Sequence, residues 1–123
     1  MIDHISLKVA DYARSKAFYT TALAPLGYRP VMEFGDGCGF GPEGKPMFWI
    51  HAGEATTPIH LAFGSPDRKT VDAFHGAAIE AGARDNGAPG LRPHYHPNYY
   101  GAFVFDPDGH NIEAVCHRPH RPE

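Results

Sequence analysis

Ile2-Asp3-His4-Ile5-Ser6-Leu7-Lys8-Val9-Ala10-Asp11 and Ile59-His60-Leu61-Ala62-Phe63-Gly64-Ser65-Pro66-Asp67 are two versions of one pattern, and each runs into a helix-like stretch. Aligning His4 on His60 also superposes Asp11 on Asp67, Ala17 on Ala73, Phe18 on Phe74 and Ala22 on Ala78 without a gap. The register then slips by one residue, so that Gly27 matches Gly82. Farther on, Gly41-Pro42-Glu43-Gly44 echoes Asp106-Pro107-Asp108-Gly109, each a turn before a closing strand. An internal duplication accounts for these matches better than chance.

The hydrophobic period assigns elements to each copy. Residues 2–9 alternate, with Ile5, Leu7 and Val9 on one side and His4, Ser6 and Lys8 on the other, as in a strand with one face on a core. Asp11 can cap the next helix, where Ala17, Phe18 and Ala22 share a face up to Pro25-Leu26-Gly27. Strands are expected at 29–34, 37–41 and 46–51. In the second copy Ile59, Leu61 and Phe63 oppose His60 and Ala62. Ser65 then Pro66 reads as a cap and first-turn proline, and Val71, Phe74 and Ala78 make the buried stripe. Glycine and proline make 87–97 read as a loop, and closing strands are expected at 101–105 and 111–117. The unit is β-α-β-β-β, present twice.

Composition narrows the class. A chain of 123 residues fits one domain, divided here into module one (1–57), module two (58–117) and a tail (118–123). A net charge of −3 with both signs interspersed offers no broad basic field for nucleic acid or a membrane surface, which leaves a small-molecule partner. No apolar run approaches the roughly 20 residues that span a bilayer. Two cysteines, Cys38 and Cys116, without dense spacing or a secretory signal, are expected to be free thiols in a cytoplasmic protein.

Period also assigns the chemistry-bearing faces. Glu113, Val115 and His117 share one face of the last strand, and Met47, Trp49 and His51 share one face of the earlier closing strand. If the modules pack as a pseudo-twofold pair, His4 and His60 face each other across a cleft and Glu113 enters from a neighbouring strand. Two imidazoles and a carboxylate suit divalent zinc, nickel, manganese or iron with positions left for substrate. His94, His96 and Tyr99 sit in a proline-bounded segment and are candidates for acid, base or anchor. Trp49, His51, Tyr100 and Phe103 are candidate substrate-binding residues, with Trp49 as an apolar wall. Lys8 and Lys45 could reach an anionic substrate, but solvated lysines are commoner. The plain readings place His75 on the helix exterior, His110 in the last turn, and His117 and His120, beside Arg118 and Arg121, in a solvated tail.

The repeated modules, the histidine in each first strand and the closing Asp106-Pro107-Asp108-Gly109-His110-Asn111-Ile112-Glu113 resemble the vicinal oxygen chelate superfamily. That group holds glyoxalase I, extradiol ring-cleaving dioxygenases, fosfomycin-resistance thiol transferases and metal-free bleomycin-binding proteins. The resemblance covers nearly the whole chain. It implies an α+β fold in which two βαβββ modules form a curved, mostly antiparallel eight-stranded sheet with helices on the convex face. It also implies a homodimer, and it places His4, His60 and Glu113 at the family's metal-ligand positions. Glyoxalase I carries a Glu where this chain has Trp49, which leaves three protein ligands unless His51, two residues along, takes part. The stretch from His94 to Glu113 is similar to the extradiol signature, with Ala102-Phe103 where an aliphatic-tyrosine pair belongs. Three functions follow from the resemblance: a glyoxalase-like lyase or isomerase, an extradiol-type dioxygenase, and a metal-free drug- or metabolite-binding protein.

Overall fold

The computed structural model describes residues 1–120. The first repeat folds as β1 (Ile5–Val9), α1 (Tyr12–Ala22), a 3-10 turn (Ala24–Leu26), β2 (Arg29–Phe34), β3 (Gly37–Gly41) and β4 (Phe48–Ala52). The second folds as β5 (His60–Gly64), α2 (Arg68–Glu80), β6 (Arg84–Leu91), β7 (Tyr100–Phe105) and β8 (Asn111–Cys116). The eight strands divide into two mixed sheets of the same topology, β1-β4-β3-β2 and β5-β8-β7-β6, each with one parallel pair. The duplication read in the sequence is therefore a duplication of topology. No helix among the described residues is long and apolar enough to cross a membrane.

One apolar core joins the modules. Leu7, Val9, Phe40, Phe48 and Ile50 from the first sheet and Ala102, Val104, Ile112 and Ala114 from the second are buried with Phe18, Val71 and Phe74 of the helices. Phe63 of β5 meets Phe48 edge-on at 5.6 Å and Tyr28 at 5.4 Å, so its ring belongs to both modules. A polar contact crosses the same junction: the buried Tyr19 hydroxyl of α1 donates to Asp106, in the turn between β7 and β8. Cys38 and Cys116 are buried free thiols.

Several elements depart from the expected pattern. β1 begins at Ile5, so His4 precedes the strand. In α1 the buried residues are Ser15, Phe18, Tyr19 and Ala22, whereas Ala17 is exposed. The two large rings at Phe18 and Tyr19 fix the rotation of the helix, because burying them removes far more apolar surface than burying one methyl. The α2 cap is Asp67, not Ser65: the Asp67 carboxylate accepts from the Thr70 N–H at 2.7 Å, and Ser65 donates to the Asp67 carbonyl. Asp67 thus matches Asp11, which caps α1 through Arg14 N–H, as the repeat alignment implies. Asp67→Ala should lower stability by about 1 kcal/mol in urea unfolding, and Ser65→Ala by clearly less. The segment expected to be a loop contains most of β6, whose ladder to β7 breaks register around Gly87 and Gly90. Pro89 is tolerated because β6 is the edge strand.

The sheet faces turned away from the helices carry polar side chains together with Trp49 and Phe103. In β1 and β4, Ser6 pairs with Trp49 and Lys8 with His51. The Trp49 and His51 rings stack at 5.6 Å and 10° over β3. Glycines under them are required for space: a Cβ on Gly39 would fall 2.9 Å from the Trp49 ring, and one on Gly37 2.8 Å from His51 Nδ1.

Candidate functional site

The chemistry of the second sheet is concentrated at the β5-β8-β7 centre. His60 opens β5, and Ala62, next on that face, stands opposite Glu113 of β8. His60 Nε2 lies 2.7 Å from Glu113 Oε1. The other carboxylate oxygen accepts from the Tyr99 hydroxyl. The Glu113 side chain is 1% exposed while His60 is 53% exposed, so a fixed carboxylate sits beneath a reachable imidazole. Gly101 leaves room for this arrangement, since a Cβ there would meet both Glu113 Oε2 and Tyr99 at 3.2 Å. Phe103 stands opposite Glu113 in β7, with its ring 6.1 Å from that of His60. Arg92 lies over Phe103 at 5.3 Å and is tied to the Gly90 and Ala88 carbonyls at 2.8 Å.

Tyr99 is held from its other side. Its ring packs edge-on against His117 at 5.3 Å, and His117 Nδ1 is 2.7 Å from His96 Nε2. The Asn98 N–H donates to His96 Nδ1, which leaves the His96 proton on Nε2, donated to His117. His117, exposed just past the end of β8, is nevertheless bonded to His96 and packed on Tyr99, so it joins the site from the start of the tail; Arg121 lies outside the described residues. Alternation along β8 already put His117 on the Glu113 face, and that was the signal for it. His94 is exposed beside Tyr95, with ring centres 4.2 Å apart.

Burial, then the bond to Glu113, raises the Tyr99 phenol well above its ordinary range, so Tyr99 acts as a proton-bearing donor. Burial likewise raises Tyr12, Tyr19, Tyr28 and Tyr100. Above the ordinary phenol pKa near 10 the unfolded chain releases protons that the folded chain keeps, so stability should fall as pH rises towards the folded values. Urea midpoints at pH 8 and pH 11 test this, and an unchanged midpoint would contradict it.

The other expected site residues lie elsewhere. His4 Nδ1 is 2.9 Å from Asp3, which also takes Lys45 at 2.8 Å. His4 lines an open cleft of about 430 Å³ with Ser6, Phe34, Trp49 and His51, all on the first sheet. Among the described residues no three His, Cys, Asp or Glu gather to hold a metal ion, so one chain joins His60 with Glu113 and does not add His4. Tyr100 faces the helix side of β7 and donates to Asp72 of α2, away from Glu113. His75 is half-buried and paired with Asp85 at 2.9 Å. His110 is fully buried and accepts from the Ile59 N–H.

Two βαβββ modules with a histidine in the first strand of the second module and a glutamate in its last define a two-module α+β class with an open cleft face. The model of the Glyoxalase/Bleomycin resistance protein/Dioxygenase superfamily matches residues 1–114, and the chain belongs to that superfamily. No curated protein sequence matches it significantly. A glyoxalase/bleomycin resistance protein from Albidiferax ferrireducens is 30% identical, with a TM-score of 0.81 over 95% of this chain and 98% of that one. A family enzyme from Burkholderia phytofirmans shares the fold at 20% identity, TM-score 0.73, covering 95% and 98%. A glyoxalase I variant from Zea mays is 25% identical, TM-score 0.68, over 93% of this chain and 46% of the longer one.

Proposed function

We propose that the chain is a divalent-metal-dependent enzyme of glyoxalase-like lyase or isomerase type, working as a homodimer on a small substrate with two adjacent oxygens. The observation that carries this reading is the buried Glu113 carboxylate, held by Tyr99 and facing the exposed His60 at 2.7 Å. A carboxylate oxygen and an imidazole nitrogen side by side are two ordinary ligands, so His60 and Glu113 are the residues that would hold the ion. An imidazole nitrogen and a carboxylate oxygen suit zinc, nickel, manganese or ferrous iron. One chain supplies two donors, so the third, His4, is assigned to a second copy whose Trp49 and His51 cleft covers the His60 face.

A bound ion would supply Lewis acidity towards the two substrate oxygens. The chain's own part is distinct. Tyr99 fixes one Glu113 oxygen and leaves the other directed at His60. His96 and His117 keep Tyr99 in place, Phe103 and Trp49 exclude water, and His94, whose imidazole is exposed, is the candidate proton carrier.

A second reading, a metal-free protein binding an aromatic drug or metabolite, is favoured by the first-sheet aromatics: Phe34 lies 5.5 Å from Trp49, which stacks on His51. Metal content after chelator-free purification and anaerobic reconstitution with iron, manganese, nickel and zinc, measured beside the sedimentation mass, decides between the two. Near one metal per chain on a dimer, lost in His60→Ala, supports the enzyme. Absence of metal under every condition, with saturable quenching of Trp49 by an aromatic ligand, sinks it in favour of the binding protein. Oxygen uptake with a catechol by the iron form would identify the dioxygenase variant.

A further inference from the structure

A groove of about 980 Å³, larger than the cleft beside His4, lies between the start of α2 and the segment that follows β8. It is separate from the Glu113 site, because the β7 and β8 residues that line it, Tyr100 and Cys116, point to the opposite side of their strands from Gly101 and Glu113. Two guanidinium groups border it, Arg68 and Arg118. The Arg68 group stands 5.2 Å over the Tyr100 ring, and its Nε is buried without an acceptor among the described residues. Arg68 as a whole is half-buried and only its Nε is enclosed, so the terminal nitrogens are what the groove offers an incoming oxyanion.

The two carboxylates in the groove do not cancel that character. Asp67 accepts from the Thr70 N–H and Asp72 from the Tyr100 hydroxyl, each through Oδ1, and neither is ion-paired with Arg68. Hydrogen bonds to Thr70 chiefly, with smaller help from the Lys69 and Arg118 charges, hold Asp67 below the usual carboxylate range, so Arg118 sits within electrostatic reach of the helix start. Pro66, Tyr100 and Pro119 supply an apolar wall beside the guanidinium groups.

We infer that this groove binds a small phosphate monoester carrying a flat apolar body, the phosphate between Arg68 and Arg118 and the body along Pro66, Tyr100 and Pro119. A phosphate group has three terminal oxygens to divide between the two guanidinium groups, which match phosphate oxygens in fork geometry, whereas a carboxylate has two.

Phenyl phosphate titrated into the full chain at pH 7.5 and followed by amide NMR shifts is the test, with inorganic phosphate, benzoate and phenol as comparisons. The expected result is saturable one-site binding with shifts at 66–72, 100 and 116–120, tighter for phenyl phosphate than for the other three. Arg68→Gln and Arg118→Ala should each weaken it about tenfold or more, the usual scale for a charge-assisted bond. Arg118 follows the last strand, so its variant keeps the fold and an unchanged urea midpoint documents that. Shifts confined to the His60 and Glu113 face, equal affinity in both variants, benzoate binding as tightly, or no binding at all would each overturn the inference.

Discussion

Asp106→Ala is expected to lower folding stability by about 3–5 kcal/mol, because it orphans three donors at a buried place. Asp106 is 6% exposed. One of its oxygens accepts from the N–H groups of Asp108 at 3.0 Å and His110 at 2.8 Å, and the other from the Tyr19 hydroxyl. The first pair shapes the Asp106-Pro107-Asp108-Gly109 turn that launches β8. The second ties that turn to α1 of the other module. Each buried polar group left unpaired costs about 1–3 kcal/mol, and hydrogen bonds to a charged acceptor stand at the upper end. Since a small domain is stable by only about 5–15 kcal/mol, the variant should unfold at a much lower urea concentration with an unchanged slope. Tyr19→Phe removes one donor and leaves the turn intact, so its loss should be clearly smaller. A shift of less than about 1 kcal/mol in Asp106→Ala, or an equal loss in both variants, would show that the turn is not held this way.

The Asp106 turn also marks where the sequence was readable. Alternation placed Leu7, Val9, Ile112 and Ala114 on core faces, and the matched pairs Asp11/Asp67 and Phe18/Phe74 announced two equivalent helices; these depend on local period, which a strand or helix expresses within a few residues. β6 escaped because Gly87, Pro89 and Gly90 carry no alternation, and the strand exists through pairing with β7. Rotation of α1 escaped because the Tyr19 ring packs on Phe40 and Phe48 and its hydroxyl donates to Asp106, 87 residues away, partners that no local period announces. The site divides in the same manner. His60, Glu113 and Tyr99 converge because β5, β8 and the segment before β7 are neighbours in one sheet. Joining His4 to them required the two modules to face each other across a cleft, and instead they share a core through Phe48, Phe63 and the helices. Which faces of two modules meet depends on tertiary and quaternary packing, and no period in the chain encodes it.

Glu113→Gln should reduce divalent-metal affinity by at least about 100-fold while leaving the fold in place. Even groups that merely orient a ligand are worth about 10–100-fold, so loss of a carboxylate ligand stands at or beyond that limit. Glutamine keeps the shape and one acceptor oxygen, so Tyr99 and the packing around Gly101 retain their contacts and the urea midpoint should move little. Tyr99→Phe provides the graded comparison. It preserves both donors and removes only the hydroxyl that directs Glu113, so a loss of about 10–100-fold is expected. Competition against a chromophoric chelator measures both. The order of the two effects carries the argument: a larger loss for Glu113→Gln than for Tyr99→Phe is what a ligand and its orienting partner produce. Wild-type affinity in Glu113→Gln would remove the carboxylate from the metal site and leave the His60, Glu113 and Tyr99 set as a hydrogen-bonded floor beneath a ligand cleft, the arrangement that the metal-free reading requires.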